Sequence, residues 1–91
     1  MIGAVHCQCF LPASYSLKDK RAVLKSLLTR VRRLNVSISE MDDQDAWQKT
    51  ALSFACINSS RQVIEKELDH VLKIIDHSDG IECHSIQYEW L

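Results

Sequence analysis

The sequence predicts an α+β fold with the chain order β-α-β-β-α-β, and three observations lead to it. Stretches near both ends and in the middle alternate apolar and polar residues with period two, as half-buried strands do. Between them, two stretches repeat apolar residues every three or four positions, as helices packed on one face do. A serine followed three residues later by an acid or amide precedes each helical stretch, which is the signature of a capped helix start.

The elements follow in order. Residues 2–11 place Val5, Cys7, Cys9 and Leu11 on one side of a strand and Ala4, His6, Gln8 and Phe10 on the other, and Pro12 ends it. Ser16 with Asp19 opens a helix whose Leu17, Leu24, Leu27, Leu28, Val31 and Leu34 share a face. "VSISEMD" (36–42) sets Val36 and Ile38 against Ser37 and Ser39, while "TALSFACIN" (50–58) is more continuously apolar and suits a central strand. "DDQDAWQK" joins them as a long hairpin connection. Ser59 with Gln62 opens a second helix built on Ile64, Leu68, Val71, Leu72 and Ile75, and Gly80 stops it. "IECHSIQYEWL" closes the chain as a strand with Ile86, Tyr88 and Trp90 on one side.

Two right-handed crossovers then lay both helices on one face of a four-stranded antiparallel sheet, the ferredoxin-like arrangement, in a single domain over 1–91. The other face is left open. His6, Gln8 and Phe10 are expected on it with the aromatics of the last strand, Tyr88 and Trp90, beside them, and exposed aromatics call for a partner.

With 46% hydrophobic and 25% charged residues, two Gly and one Pro, the composition is that of a folded domain and excludes low-complexity disorder. No apolar run approaches the roughly 18 residues that span a bilayer, and "MIGAVHCQCFLP" lacks the basic start and cleavage pattern of a signal peptide. A cytoplasmic protein with no membrane partner is expected. Cys7, Cys9, Cys56 and Cys83 lie in apolar strand-like runs, where cysteine acts as a small core residue. Cys7-x-Cys9 with His6 and His84 lacks the C-x(2–4)-C spacing of structural zinc sites, so neither a metal nor another cofactor is expected.

Charge is the strongest functional signal. Residues 16–35 carry seven Lys and Arg against one Asp, whereas the rest of the chain carries four basic and eleven acidic residues, so +6 is set against −7. At 100° per residue, Lys18, Arg21, Lys25 and Arg32 fall within about 60° of one another beside the leucine face. Lys20 sits near the apolar edge, where its stem lies on the core rim while the ammonium reaches water. Cations suit a helix C-terminus, which accounts for Arg30, Arg32 and Arg33, but Lys18, Lys20 and Arg21 crowd the positive end of the dipole. A basic stripe rising from a helix N-terminus, with the hydroxyls of Ser14 and Ser16 nearby, suits a run of phosphates. A plain solvated face, or pairing with an acidic protein patch such as "EMDDQD" (40–45) of the same or another copy, accounts for the same charges. Trp47 beside that patch reads as an anchor at the hairpin base or in a dimer contact ahead of a base-stacking platform.

The stretches "LPASYSLKDKRAVLKSLLTRVRRLNVS", "EMDDQDAWQKTALSFACINS" and "YEWL" resemble the YlxP-like family of small bacterial proteins, a domain of unknown function, over nearly the whole chain. The family's motif falls here on Ser16, Leu17, Lys18, Lys20 and Arg21 and on Gln44, Asp45, Trp47 and Gln48. The resemblance implies a ferredoxin-like fold and, because members are encoded beside translation-initiation and ribosome-maturation factors, a role near ribosomal RNA or the small subunit. Asp43 stands where relatives often carry His, and the cysteine-rich first strand departs from the family pattern.

No catalytic residues are expected. Acylphosphatase chemistry on this fold needs a Gly-rich loop with an Arg after the first strand, and "CFLPASYS" has no Gly; a metallochaperone needs Cys-x-x-Cys there. His70, His77 with Asp76, and His84 read as boundary histidines. The expectation is a non-enzymatic RNA-associated module, with no small-molecule substrate, using Ser16, Lys18, Lys20, Arg21, Lys25 and Arg32 on phosphates. The alternative is a homodimer built on the open sheet face and the Trp47 hairpin, with Phe10, Trp47, Tyr88 and Trp90 in the contact.

Overall fold

Every strand and helix read from the sequence is present in the computed structural model, which describes all of residues 1–91. The order is β1 (Ile2–Phe10), α1 (Leu17–Val31), β2 (Ser37–Asp42), β3 (Lys49–Ile57), α2 (Arg61–Asp76) and β4 (Glu82–Trp90). The strands form one open antiparallel sheet in the order β2-β3-β1-β4, the ferredoxin-like βαββαβ arrangement, with β2 and β4 as its edges.

The alternation of β1 sorts as the period demands. Val5, Cys7, Cys9 and Leu11 are buried under the helices, and His6, Gln8 and Phe10 are exposed on the open face. Leu24, Leu27 and Val31 of α1 and Ile64, Leu68, Val71 and Ile75 of α2 close the core from above, against Leu52, Phe54 and Cys56 of the central strand β3. Leu17 stays exposed, and the core position at the start of α1 is taken by Lys20.

Three expectations are corrected. The N-cap of α2 is Ser60 and not Ser59: Asn58 Oδ1 accepts the Ser60 N–H at 2.8 Å, which turns the chain one residue later, and Ser60 Oγ accepts from the Val63 N–H. α1 stops at Val31, so Arg32 is its C-cap. Tyr88 and Trp90 are not on the open face with Phe10. The register pairs Val5 with Tyr88, Cys7 with Ile86 and Gly3 with Trp90, and directly paired residues share a face, so all three β4 side chains point to the helix side. Trp90 is half-buried against the core with the Arg61 guanidinium 4.2 Å above its ring. Ile86 and Tyr88 remain exposed because β4 is an edge that α2 covers incompletely.

The reason for a glycine at position 3 is close packing. A Cβ there would lie 2.5 Å from Ile64 Cγ2, 2.9 Å from the Trp90 ring and 3.2 Å from Leu68 Cδ1. Gly3→Ala is therefore expected to push α2 and Trp90 outward and to cost about 1–3 kcal/mol, lowering the midpoint of thermal unfolding by roughly 5 °C or more in a chain of this size. A melting curve unchanged from wild type contradicts this packing.

Candidate functional site

The start of α1 and the β2–β3 connection form one polar structure. Lys20 has no solvent exposure, and its ammonium spends its three protons on the Asp43 carbonyl at 2.6 Å, the Ala46 carbonyl at 2.8 Å and Glu40 Oε2 at 3.0 Å. Glu40 is on the helix side because it pairs with buried Leu52, two residues along from Ile38. Its Oε2 also accepts from the buried Thr50 hydroxyl at 2.6 Å, and its Oε1 meets Arg21 Nη1 at 2.9 Å. The second Arg21 nitrogen reaches the Gln44 carbonyl at 3.2 Å. The hairpin loop, with Asp43 at φ 60°, is thus held by its carbonyls against the first turns of α1.

This overturns the expectation that the Lys20 ammonium lies in water. Aliphatic packing alone would let it snorkel, but three converging acceptors compensate the ammonium where it is. As placed, Lys20 cannot touch a phosphate, and Arg21 is committed to Glu40. Nor is the helix N-terminus an open anion site. Ser16 Oγ accepts the Asp19 N–H at 3.0 Å, Asp19 Oδ2 accepts the Tyr15 N–H at 3.1 Å, and buried Ser14 donates to the Ser16 carbonyl.

What is left of the basic stripe is exposed. Lys18, Lys25, Arg32 and Arg33 form no ion pair, and Arg30 binds only the Ser78 hydroxyl, at 2.7 Å. Lys18, Lys25 and Arg32 recur every seven residues, about 10 Å apart along the axis, on the solvent side of α1.

Two of the expected contact aromatics meet a single cleft. Phe10 and Trp47 line it with Asp45, Ala46, Gln48 and Lys49, because the Leu11 N–H is bonded to the Gln48 carbonyl at 2.8 Å and brings the end of β1 to the hairpin. Phe10 also meets the His84 ring edge-on, centroids 4.7 Å apart. The middle of the open face is small and polar, where Ser37 and Ser39 pair with Ala55 and Ser53, which pair with Ala4 and His6, while Met41 and Ile57 are exposed towards its margins.

The sequence reading missed one hydrogen-bond chain on that face. His6 Nδ1 is 2.8 Å from Ser53 Oγ, and Nε2 is 3.0 Å from Glu89 Oε1. With the proton on Nε2, the ring donates to Glu89 and accepts from Ser53, the hydrogen-bond order of a nucleophilic triad. Ser53 nevertheless lies within β3, whose backbone is paired on both sides, so no pair of N–H groups converges on an oxyanion position beside it. The signal was available, since His6 and Ser53 both fall on open-face positions of their strands. His6 is also on the opposite face from Cys7 and Cys9, so the ligand set Cys7, Cys9, His6 and His84 is not assembled.

Burial works to raise the pKa of Glu40, but hydrogen bonds from Thr50, Arg21 and Lys20 outweigh it and hold the carboxyl below its ordinary value of 4.5. A lowered folded-state pKa makes this cluster's contribution complete above about pH 4.5 and lost as pH falls through the depressed value. Glu40→Gln is expected to cost about 3 kcal/mol at pH 7, because it leaves the Lys20 charge buried without a counter-charge, and to flatten the acid limb of stability. Urea unfolding of both proteins at pH 7 and pH 3 measures this; equal losses on acidification remove Glu40 as the cause.

Comparison with known proteins agrees with this architecture. A family model described as "Protein of unknown function (DUF503)" matches residues 2–88. The "Uncharacterized protein YlxP" of Bacillus subtilis (strain 168) is 50% identical over 91 residues, covering 99% of each chain. Among solved structures, the "De novo designed protein Foldit4" superposes with a TM-score of 0.57 at 13% identity, over 100% of this chain and 99% of that one, a likeness of fold alone.

Proposed function

The chain belongs to the DUF503 family of proteins of unknown function, and from that premise we propose that it is a non-catalytic RNA-binding module whose α1 lies along a phosphate backbone. The observation that carries this reading is the sorting of charge on one helix: Glu40 takes up Lys20 and Arg21, and Lys18, Lys25, Arg30, Arg32 and Arg33 keep no carboxylate partner. Cations held apart on a solvent-facing ridge suit phosphates, which bind by charge and position and do not themselves report sequence. Lys18, Lys25 and Arg32 are the contacts, and Ser16, Lys20 and Arg21 are support. Base recognition falls to the Phe10–Trp47 cleft, where unpaired bases find aromatic faces. The RNA of the small ribosomal subunit is the first candidate.

Three phosphate contacts make affinity for small-subunit RNA fall roughly twentyfold for single strands to fortyfold for duplex between 50 and 200 mM salt. Combined Lys18→Glu, Lys25→Glu and Arg32→Glu substitutions abolish binding with little change in melting temperature, because none of the three has a carboxylate partner and the helix dipole favours Glu at position 18 about as much as it disfavours Glu at position 32. Filter binding across a salt series reads both. Affinity that ignores salt, or that survives the triple reversal, overturns the reading.

A second reading has its own observation. β4 is a nine-residue edge with neither Lys nor Pro, bearing exposed Ile86 and Tyr88, and such an edge is a template for strand pairing. We propose that a second copy pairs there in antiparallel fashion, making one continuous eight-stranded sheet around a two-fold axis. The contact thus moves from the open face to the β4 edge. Sedimentation at micromolar concentration is expected to give a dimer that Ile86→Lys converts to a monomer; a wild-type monomer removes it.

A further inference from the structure

Three of the four cysteines converge at one point beneath α2. The Sγ atoms of Cys7, Cys9 and Cys83 all lie within 4.8 Å of one another, with Cys7 and Cys9 at 3.8 Å. Cys7 and Cys9 follow from the strand period, but Cys83 does not. β4 pairs Ser85 with Gln8, so an unbroken ladder would set His84 against Cys9 and turn Cys83 to the open face. The register shifts between Gln8 and Cys9, pairing Cys83 with Cys9, and His84 is the extra residue, turned out beside Phe10. A β-bulge therefore swaps an imidazole for a thiol on the inner face, and re-aiming a side chain is what bulges near sites do.

The triangle has the dimensions of a thiolate metal site. Around an ion with metal–sulfur bonds of about 2.3 Å, sulfurs sit about 3.8 Å apart in tetrahedral and about 4.0 Å apart in trigonal coordination. From separations of at most 4.8 Å, the three sulfurs meet that by closing about 1 Å. There is a way in: a cleft of about 230 Å³, lined by Leu72, Lys73, Asp76, Cys83 and Ile86, opens on the half-buried Cys83. We propose that Cys7, Cys9 and Cys83 bind one soft d¹⁰ cation, Cu(I) or Zn(II), as a three-thiolate site entered past Cys83.

The site's chemistry is consistent with this. Thiolates select soft ions over Mg²⁺ or Ca²⁺, and three sulfurs suit trigonal Cu(I), while Zn(II) takes a fourth ligand from the cleft. The Cys9 thiol already points at the Cys7 sulfur, 3.8 Å away. Binding of a cation displaces the thiol protons, so affinity rises with pH.

The test uses the full chain, reduced and kept under argon, titrated with Cu(I) in one arm and Zn(II) in the other against a chelator of known affinity. One equivalent is expected to bind per chain in at least one arm, with thiolate charge-transfer absorption in the copper arm, and the arm that competes better names the ion. Cys83→Ser, at a half-exposed position that tolerates a hydroxyl, is expected to weaken binding about 100-fold or more, and Cys56→Ser to leave it unchanged. Circular dichroism confirms that both variants are folded. Failure of both ions to bind at one equivalent, or equal affinity in the Cys83→Ser protein, overturns the proposal.

Discussion

The buried ammonium of Lys20 is the constraint around which the first half of the molecule is organised. A charge with no solvent exposure is tolerable only where its protons are spent, and here each has an acceptor: one carboxylate and two loop carbonyls. Those acceptors come from β2 and from the connection that follows it, so a single side chain of α1 fixes both the helix position and the course of the hairpin. Glu40 is fixed in turn by Thr50 from β3 and Arg21 from α1. Removing any one member leaves another buried polar group without its partner, which makes the cluster cooperative.

The same contact joins the two halves of the motif singled out in the sequence. The Ser-Leu-Lys-acid-Lys-Arg run and the Gln-Asp-x-Trp-Gln run are some twenty-five residues apart in sequence, and they meet where Lys20 and Arg21 take the carbonyls of Asp43, Gln44 and Ala46. Much of that motif is thus architecture. Its structural part accounts for two cations of the helix, Lys20 and Arg21, and leaves Lys18, Lys25, Arg30, Arg32 and Arg33 without a carboxylate partner. Arg32, as the C-cap, gains from the helix dipole, whereas Lys18 sits at its positive end and, like Lys25, has no carboxylate partner.

The fold was legible because it rests on periods and caps. Alternation sorted β1, the three-and-four spacing named seven of the eight side chains that the helices bury, and Ser16–Asp19 marked a cap that exists. Lys20 was misplaced because lysine normally carries its charge to water, although it lies four residues before Leu24 and seven before Leu27, on the core stripe. Glu40 gave the matching sign, two residues after Ile38 on the inward side of a strand. A buried cation and a buried carboxylate at facing core positions are legible together and unreadable apart. The last strand failed for a different reason. Alternation says that Ile86, Tyr88 and Trp90 share a side, but which side depends on register with β1, a non-local fact.

The bulge at His84 bears on that failure and on the chemistry beneath α2. Cys83 and Tyr88 are five residues apart, an odd number, and still share the helix side, which a regular strand forbids. The extra residue is what lets one strand end place a sulfur inward at Cys83 and an aromatic pairing outward at His84. An apolar core gains little from this exchange, since a half-buried thiol fills less space than leucine or isoleucine. The gain is positional: the third sulfur comes within reach of two that strand geometry had already placed side by side. The basic ridge of α1 and the thiol triangle under α2 share no residue, so charge reversal on one and serine substitution in the other act on separate properties of the same sheet.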